Sequence, residues 1–435
     1  MRQYRLALIL AMFGTLGSCK QASKAPTTDH YSIQIDSLMT ACFEQEIFNG
    51  NVIASKYGEV VYENSLGYSG GAKNIPLRED HLFSLGSMAK SFHVAGILVL
   101  VEQGKLRLDQ KLSDIIIDLP AWAEKISVNH LLNYVSGLPQ LRYREVKSEE
   151  DVWRHLQELE DLSAVPGTTY LYNHNTPIIY KAIIEEVSNQ TFENFINQEI
   201  LSKAGITKSK FDPTSDDPNL VVSYNNHGVN DETFNPFTGW LYMTAGDTHK
   251  WISALTNHQI ISKDNFEKFI HNQYFDDMTT SLGQGTITQD SMLRYEIRGS
   301  YFNFRAEAQT SAEAKTAIVL LDNNGGRYVG RIAAAIDSIL TDKTFSIPKR
   351  SIYWAMRDTS GLDAVGILAY YNHLKASYPT VYNFDDPDAL YYVGRGVYRN
   401  NDSKGAHKIL GLNLGKFPNH QESKDLVQEI EEDGF

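Results

Sequence analysis

The sequence predicts an α+β protein: an antiparallel sheet flanked by helices, an inserted mainly helical subdomain, and an all-α C-terminal appendage. Three observations lead there. Runs rich in β-branched and aromatic residues occur early ("NVIASKYGEVVYENSL", from Asn51) and again far downstream ("RYEIRGSYFNFRAEAQ" and "KTAIVLLDNN"). Residues from about 110 to 260 instead read as helices and loops. Beyond Phe345 every patterned segment reads as helical. One sheet built from distant strands, with helices between them, accounts for the first two observations; a separate helical region accounts for the third.

With 435 residues, 42% of them hydrophobic and 21% charged, the chain has room for one large domain and a smaller one. The net charge of −13 argues against a nucleic-acid partner, because phosphate binding requires a basic face. At the N-terminus, "MRQYRLALILAMFGTLGSC" places Arg2 and Arg5 ahead of an apolar run from Leu6 to Leu16. That run is too short to span a bilayer and reads as a signal-peptide core. It ends in "LGSC", a sequence similar to the bacterial lipoprotein cleavage box, which predicts a signal peptide over 1–19, acylation of Cys19 and a polar tether over 20–30. Membrane contact is then expected through the lipid at Cys19, at the periplasmic side or cell surface of a bacterial envelope. Cys42 would be the one cysteine left for the fold, so no internal disulfide is expected.

In chain order, Tyr57–Gly58 between two β-rich runs signals a hairpin. "GSMAKSFHVAGILVLVEQGKL" has an apolar run too long for a strand and predicts a buried helix ending near Gly104. Strands return after Arg294, and "RIAAAIDSIL" closes the domain, set at 31–341. Over 345–435, "ALYYVGRGVYRNN" and "SKGAHKILGLNLGKFPNHQ" form a helix–turn–helix of about the length of one tetratricopeptide-type unit. One such unit cannot bury its own apolar face and must pack on the preceding domain or on a protein partner.

Candidate chemistry begins at "FSLGSMAKSF", where Ser87 precedes Lys90 by three residues. A serine hydroxyl needs a base near its oxygen, and residues three apart share a helix face. The bare pattern proves little, since Ser346–Lys349 repeats it with Pro348 between, where a helix would break. Its surroundings decide. In "VPGTTYLYNHNTPIIYKAIIEEVS", Pro166-Gly167-Thr168, Tyr172-Asn173-His174 and Ile183-Ile184-Glu185 follow one another; "VEQGKLRLDQKLSDI", "HLLNYVSGLP" and "GWLYMTAGDTHKWISAL" flank them. This ordered series resembles the serine β-lactamase and penicillin-binding protein superfamily, particularly its class C β-lactamase-related branch, over residues 31 to 341. The resemblance implies a β-lactamase/transpeptidase-like fold, with Ser87 as acylated nucleophile, Lys90 as activating amine, and Tyr172 sharing the proton work as a phenolate held by an adjacent ammonium.

Two departures stand out. The family's asparagine after the tyrosine is His174, a group that ordinarily titrates near neutrality. The family's third motif falls on Ile297-Arg298-Gly299-Ser300, which lacks the leading cation. Strand alternation puts Arg298 and Ser300 on one face, so Arg298 is expected to hold a substrate carboxylate by a forked hydrogen bond while the Ser300 N–H faces the oxyanion. The altered motif argues against rapid β-lactam turnover. "GYSGG" at 67–71 matches a nucleophile elbow, but Pro76 and the lack of apolar periodicity after it leave Ser69 in a loop. No metal-binding spacing or phosphate-cradling loop is read, so no cofactor is expected. The sequence thus points to an envelope-anchored serine hydrolase of amides or esters: peptides, D-amino-acid derivatives, β-lactams or small esters. The alternatives are a non-catalytic surface lipoprotein using the same scaffold for binding, and a peptidoglycan-directed carboxypeptidase.

Overall fold

The computed structural model describes residues 28–140, 146, 148–214, 217–225, 227–232, 239–288, 291–356 and 362–432. The signal-peptide segment and Cys19 lie outside the described residues. The first helix, α1 (Thr28–Glu44), begins inside the stretch read as tether. Strands β1 (Gly50–Lys56) and β2 (Glu59–Leu66) follow, joined by the expected turn. Tyr57 and Gly58 both have positive φ, 57° and 84°, matching the turn to the right-handed twist of the strands. After the central helix α2 (Lys90–Glu102) and helix α3 (Thr176–Ser188) comes α4 (Ala245–Thr256). The sheet is then completed by β3 (Gln284–Thr288), β4 (Ser291–Tyr301), β5 (Phe304–Ser311) and β6 (Thr316–Asp322), before α5 (Val329–Leu340).

These six strands form one antiparallel sheet in the order β2-β1-β6-β5-β4-β3, so the chain's early and late strands meet at the β1–β6 seam. Alternation along β1 and β6 sorts the core into two layers. Val52, Ala54, Ile318 and Leu320 pack against Ile35 and Met39 of α1 and Ile332 and Ile336 of α5. Ile53, Val319 and Leu321 face the other way, into a larger core shared with α2, α3 and α4. Helix α2 is buried from Lys90 to Leu100 and ends as expected, with Gly104 at φ +68° donating to the Val101 carbonyl.

The stretch read as helices and loops also holds strands. Leu241–Met243 pairs with Phe83–Ser84 and Ser209–Phe211 in a small second sheet. Three apolar residues are too few to show a period, and pairing partners from far along the chain made this a strand. Likewise the C-terminal region is not wholly helical: Arg350–Ser351 pairs in parallel with Tyr382–Asn383. Its four main helices are α6 (Ala364–Ser377), α7 (Pro387–Arg399), α8 (Ser403–Lys416) and α9 (Gln421–Glu432). α7 and α8 approach closely at Gly394, where a Cβ would lie 2.9 Å from Leu410. Leu410 is fully buried and serves packing. Ser346–Lys349 lies outside any helix, and Ser69 sits in a loop, donating its N–H to the Ile75 carbonyl.

Candidate active site

Ser87 lies in a short 3-10 turn, Gly86–Ala89, that runs directly into α2. Two glycines let β4 come against this turn. Gly86 has φ +54°, and a Cβ there would lie 2.6 Å from the Ser300 backbone; at Gly299 a Cβ would lie 1.8 Å from the Leu85 carbonyl oxygen. The same turn places Lys90 one helical step beyond Ser87, with its Nζ donating to Ser87 Oγ at 3.2 Å. Tyr172, arriving from a loop just before α3, donates its hydroxyl to Ser87 Oγ at 2.7 Å. Lys90 Nζ also donates to Tyr172 Oη, closing a triangle of amine, phenol and hydroxyl.

The electrostatics of this triangle differ from the expected phenolate–ammonium pair. Lys90 is 1% exposed and has no carboxylate partner among the described residues. Burial brings its amine down to about 7. Burial likewise raises Tyr172, against hydrogen bonds with Ser87 and Tyr134 that pull the other way. A dry site disfavours both charged forms, so as the pH rises past about 7 the pair becomes a neutral amine beside a neutral phenol.

His174 also departs from expectation. Burial and the nearby Lys90 charge push it down to about 4, so it stays neutral at physiological pH. Its Nδ1 lies 3.1 Å from Gln140 Oε1, which also accepts the His174 backbone N–H, and its ring packs edge-on against Tyr172. Arg298 lies beside Ser87 as the strand alternation required, but its guanidinium is turned on the protein's own carboxylates. Nε donates to Glu307 at 2.9 Å and Nη2 to Glu296 at 3.3 Å. The fork expected for a substrate is therefore engaged. Glu307 is itself 1% exposed, and burial lifts it to about 7 despite Arg298. Exposed Ser300 and buried Gly299 line the cleft with Ser87.

Tyr134 was missed from the sequence. It is buried, packs tilted against Tyr172 with ring centroids 4.6 Å apart, and holds φ +56°, a strained conformation for a residue with a Cβ. It lies within the quoted "HLLNYVSGLP", but nothing local distinguishes it from a core tyrosine. The cleft opens on two sides of Ser87. One cavity of about 180 Å³ includes Tyr134, Tyr172 and Ile297, and the other, of about 520 Å³, includes Ser300 and Arg298. A further cavity of about 540 Å³, lined by Phe48, Tyr68 and Tyr224, contains none of the three triangle residues.

Comparison with known proteins bears on this geometry. The Beta-lactamase family model matches residues 35–339, most of the chain. The chain belongs to the beta-lactamase family. As a beta-lactamase-family chain, it falls among the serine hydrolases of the β-lactamase and penicillin-binding protein superfamily. It is 28% identical over 186 residues to penicillin-binding protein 4* of Bacillus subtilis, 40% of this chain and 41% of that protein, so it spans under half of that relative's length. A second Bacillus subtilis relative, PbpX, is 25% identical over 293 residues, 63% of this chain and 71% of its own. The fold matches the crystal structure of a class C beta-lactamase with TM-score 0.62 at 17% identity, covering 73% of this chain and 98% of that one. The family match stops at residue 339, so the helices after α5 lie beyond it.

Proposed function

We propose that the protein is a serine hydrolase that forms an acyl-enzyme on Ser87 from an amide or ester. The observation that carries this is the closed triangle of Ser87, Lys90 and Tyr172 around one hydroxyl. The neutral Lys90 amine takes the Ser87 proton as Oγ bonds to the carbonyl carbon. The N–H groups of Ser87 and Ser300 stabilise the resulting oxyanion. When the carbonyl reforms and the bond to the leaving group breaks, that group takes the Tyr172 phenolic proton, and the Lys90 ammonium restores it. Water then attacks the acyl-enzyme, giving a proton to the amine, and Ser87 recovers its own as the acid departs. Every step keeps the Lys90 amine and the Tyr172 phenol in reach of one oxygen.

Penicillin binding, named for relatives, supplies a probe: a fluorescent penicillin is expected to acylate Ser87 slowly. The decisive test is labelling with a serine-directed fluorophosphonate, with the adduct mapped by mass spectrometry. An adduct on Ser87 that disappears in Lys90→Met supports the hydrolase; a folded protein that never labels refutes it. The address proposed is the bacterial envelope, through lipid on Cys19. Metabolic labelling with an alkyne fatty acid, lost in Cys19→Ala, tests that part separately. The C-terminal helices are proposed to form a tetratricopeptide-like unit.

A further inference from the structure

Tyr134 holds the segment that delivers Tyr172, by its main chain and by its ring. Its carbonyl accepts the Leu171 N–H at 2.7 Å, and the Val135 carbonyl accepts that of Gly167 at 2.8 Å. The ring packs edge-on against Tyr170, with centroids 5.9 Å apart, as well as against Tyr172. Tyr134 also lines the smaller cavity together with Ser87 and Tyr172. A phenylalanine would make all of these contacts, so the hydroxyl calls for a separate reason.

That hydroxyl belongs to a chain of them. Tyr180, on α3, donates its one hydroxyl proton to the Leu131 carbonyl at 2.7 Å. Ser281 Oγ lies 2.9 Å from Tyr180 Oη, so Ser281 is the donor of that pair. Both side chains are buried, and Ser281 is fixed in place by its N–H, which donates to the Leu132 carbonyl at 3.1 Å. The Tyr134 hydroxyl hydrogen-bonds Ser281 on one side and Tyr172 on the other. With the Ser281 proton committed to Tyr180, Ser281 Oγ accepts from Tyr134. Tyr172 meanwhile donates to Ser87 and accepts from Lys90. Among these hydroxyls, Tyr134 is therefore the donor with two acceptors to choose from.

We infer that Tyr134 is a positioning residue for proton transfer: its O–H turns from Ser281 to Tyr172 Oη when the Tyr172 proton passes to the leaving group. It holds the phenolate there until the Lys90 ammonium returns a proton. Tyr134 keeps its own proton throughout, so the proton balance of acylation is unchanged. This rests on the hydrolase reading. The need is electrostatic, because a phenolate in a dry site is costly. With Ile297 in place of the third motif's leading cation, Lys90 is the one cation hydrogen-bonded to Tyr172 among the described residues. Burial lifts the Tyr134 phenol well above its ordinary value, which keeps it a donor. A hydroxyl needs only a torsional turn to face the atom where charge develops, and it acts most strongly where water is excluded.

The test measures kcat/KM of the full-length protein for phenyl acetate and p-nitrophenyl acetate. p-Nitrophenolate leaves readily without a proton; phenolate, whose parent phenol titrates near about 10 as a tyrosine does, leaves better with one. Tyr134→Phe is expected to lower the rate on phenyl acetate about tenfold more than that on p-nitrophenyl acetate. The ratio of the two rates does not depend on how much of the variant is folded. In a Tyr172→Phe background, where no phenolate forms, Tyr134→Phe is expected to leave the ratio unchanged. An equal loss on both esters, or the same change of ratio in the Tyr172→Phe background, overturns the inference and leaves the hydrolase reading standing. Hydrolysis of neither ester by the unmodified protein would instead sink the hydrolase reading, and this inference with it.

Discussion

At the scale of single residues, Lys90 is where stability and chemistry conflict. A buried ammonium without a carboxylate partner is costly, and the site avoids the cost by lowering the amine to about 7. Activity should therefore rise with pH through about 7 as the amine is freed, and level off above. His174, held near 4, should leave no mark on the profile between pH 5 and 9. A kcat/KM profile on p-nitrophenyl acetate checks both; a flat profile across pH 7 removes Lys90 as the base. The unfolded lysine titrates near 10.4, so between about 7 and 10.4 the unfolded chain holds the extra proton, and stability rises with pH over that window. Below 7 the Lys90 penalty is complete. Lys90→Met should then abolish activity yet stabilise the fold by on the order of 1–3 kcal/mol at pH 6, less towards pH 10. Melting temperatures of both proteins at the two pH values measure it. Ser87 and Lys90 were legible in the sequence because residues three apart share a helix face, and Tyr172, 85 positions from Ser87, through the family resemblance of the motifs around it. Tyr134 and Glu307 were not, since a tyrosine beside Tyr172 and an acid opposite Arg298 are created only by chain meetings across 38 and nine positions.

At the scale of elements, what matters is how closely β4 lies on the turn that starts α2. The approach is backbone to backbone, through Gly86 and Gly299. Gly299→Ala would force a methyl into the Leu85 carbonyl, so the strand must retreat from Ser87. Overpacking of this kind costs about 1–3 kcal/mol, and an ångström of misplacement at a reacting centre can cost about a hundredfold in rate. The expected result is a kcat/KM at least about a hundredfold lower with a small loss of melting temperature; unchanged kinetics would mean the close approach is not needed. The long elements here were readable from pattern alone: α2 from its unbroken apolar run, the β1–β2 hairpin from Tyr57–Gly58. Short ones were not. Leu241–Met243 and the Arg350–Ser351 bridge to Tyr382–Asn383 are strands because a partner strand supplies hydrogen bonds. No property of so few residues announces that partner.

At the scale of the whole molecule, the C-terminal helices keep apolar cores of their own. Ile367, Leu374 and Ile409 belong to one, and Leu410, Leu426 and Ile430 to another; neither merges with the two cores packed on the six-stranded sheet. The junction instead includes polar contacts: Ser351 N donates to Tyr328 Oη at 2.5 Å, Arg350 meets Glu46 at 3.3 Å, and Arg331 meets Asp386 at 3.8 Å. Exposed ion pairs of this kind contribute about 0–1 kcal/mol each, so the two parts should not unfold as one cooperative unit. Calorimetry is expected to resolve two transitions, with the C-terminal one lower. A single transition whose calorimetric and van't Hoff enthalpies agree would contradict this.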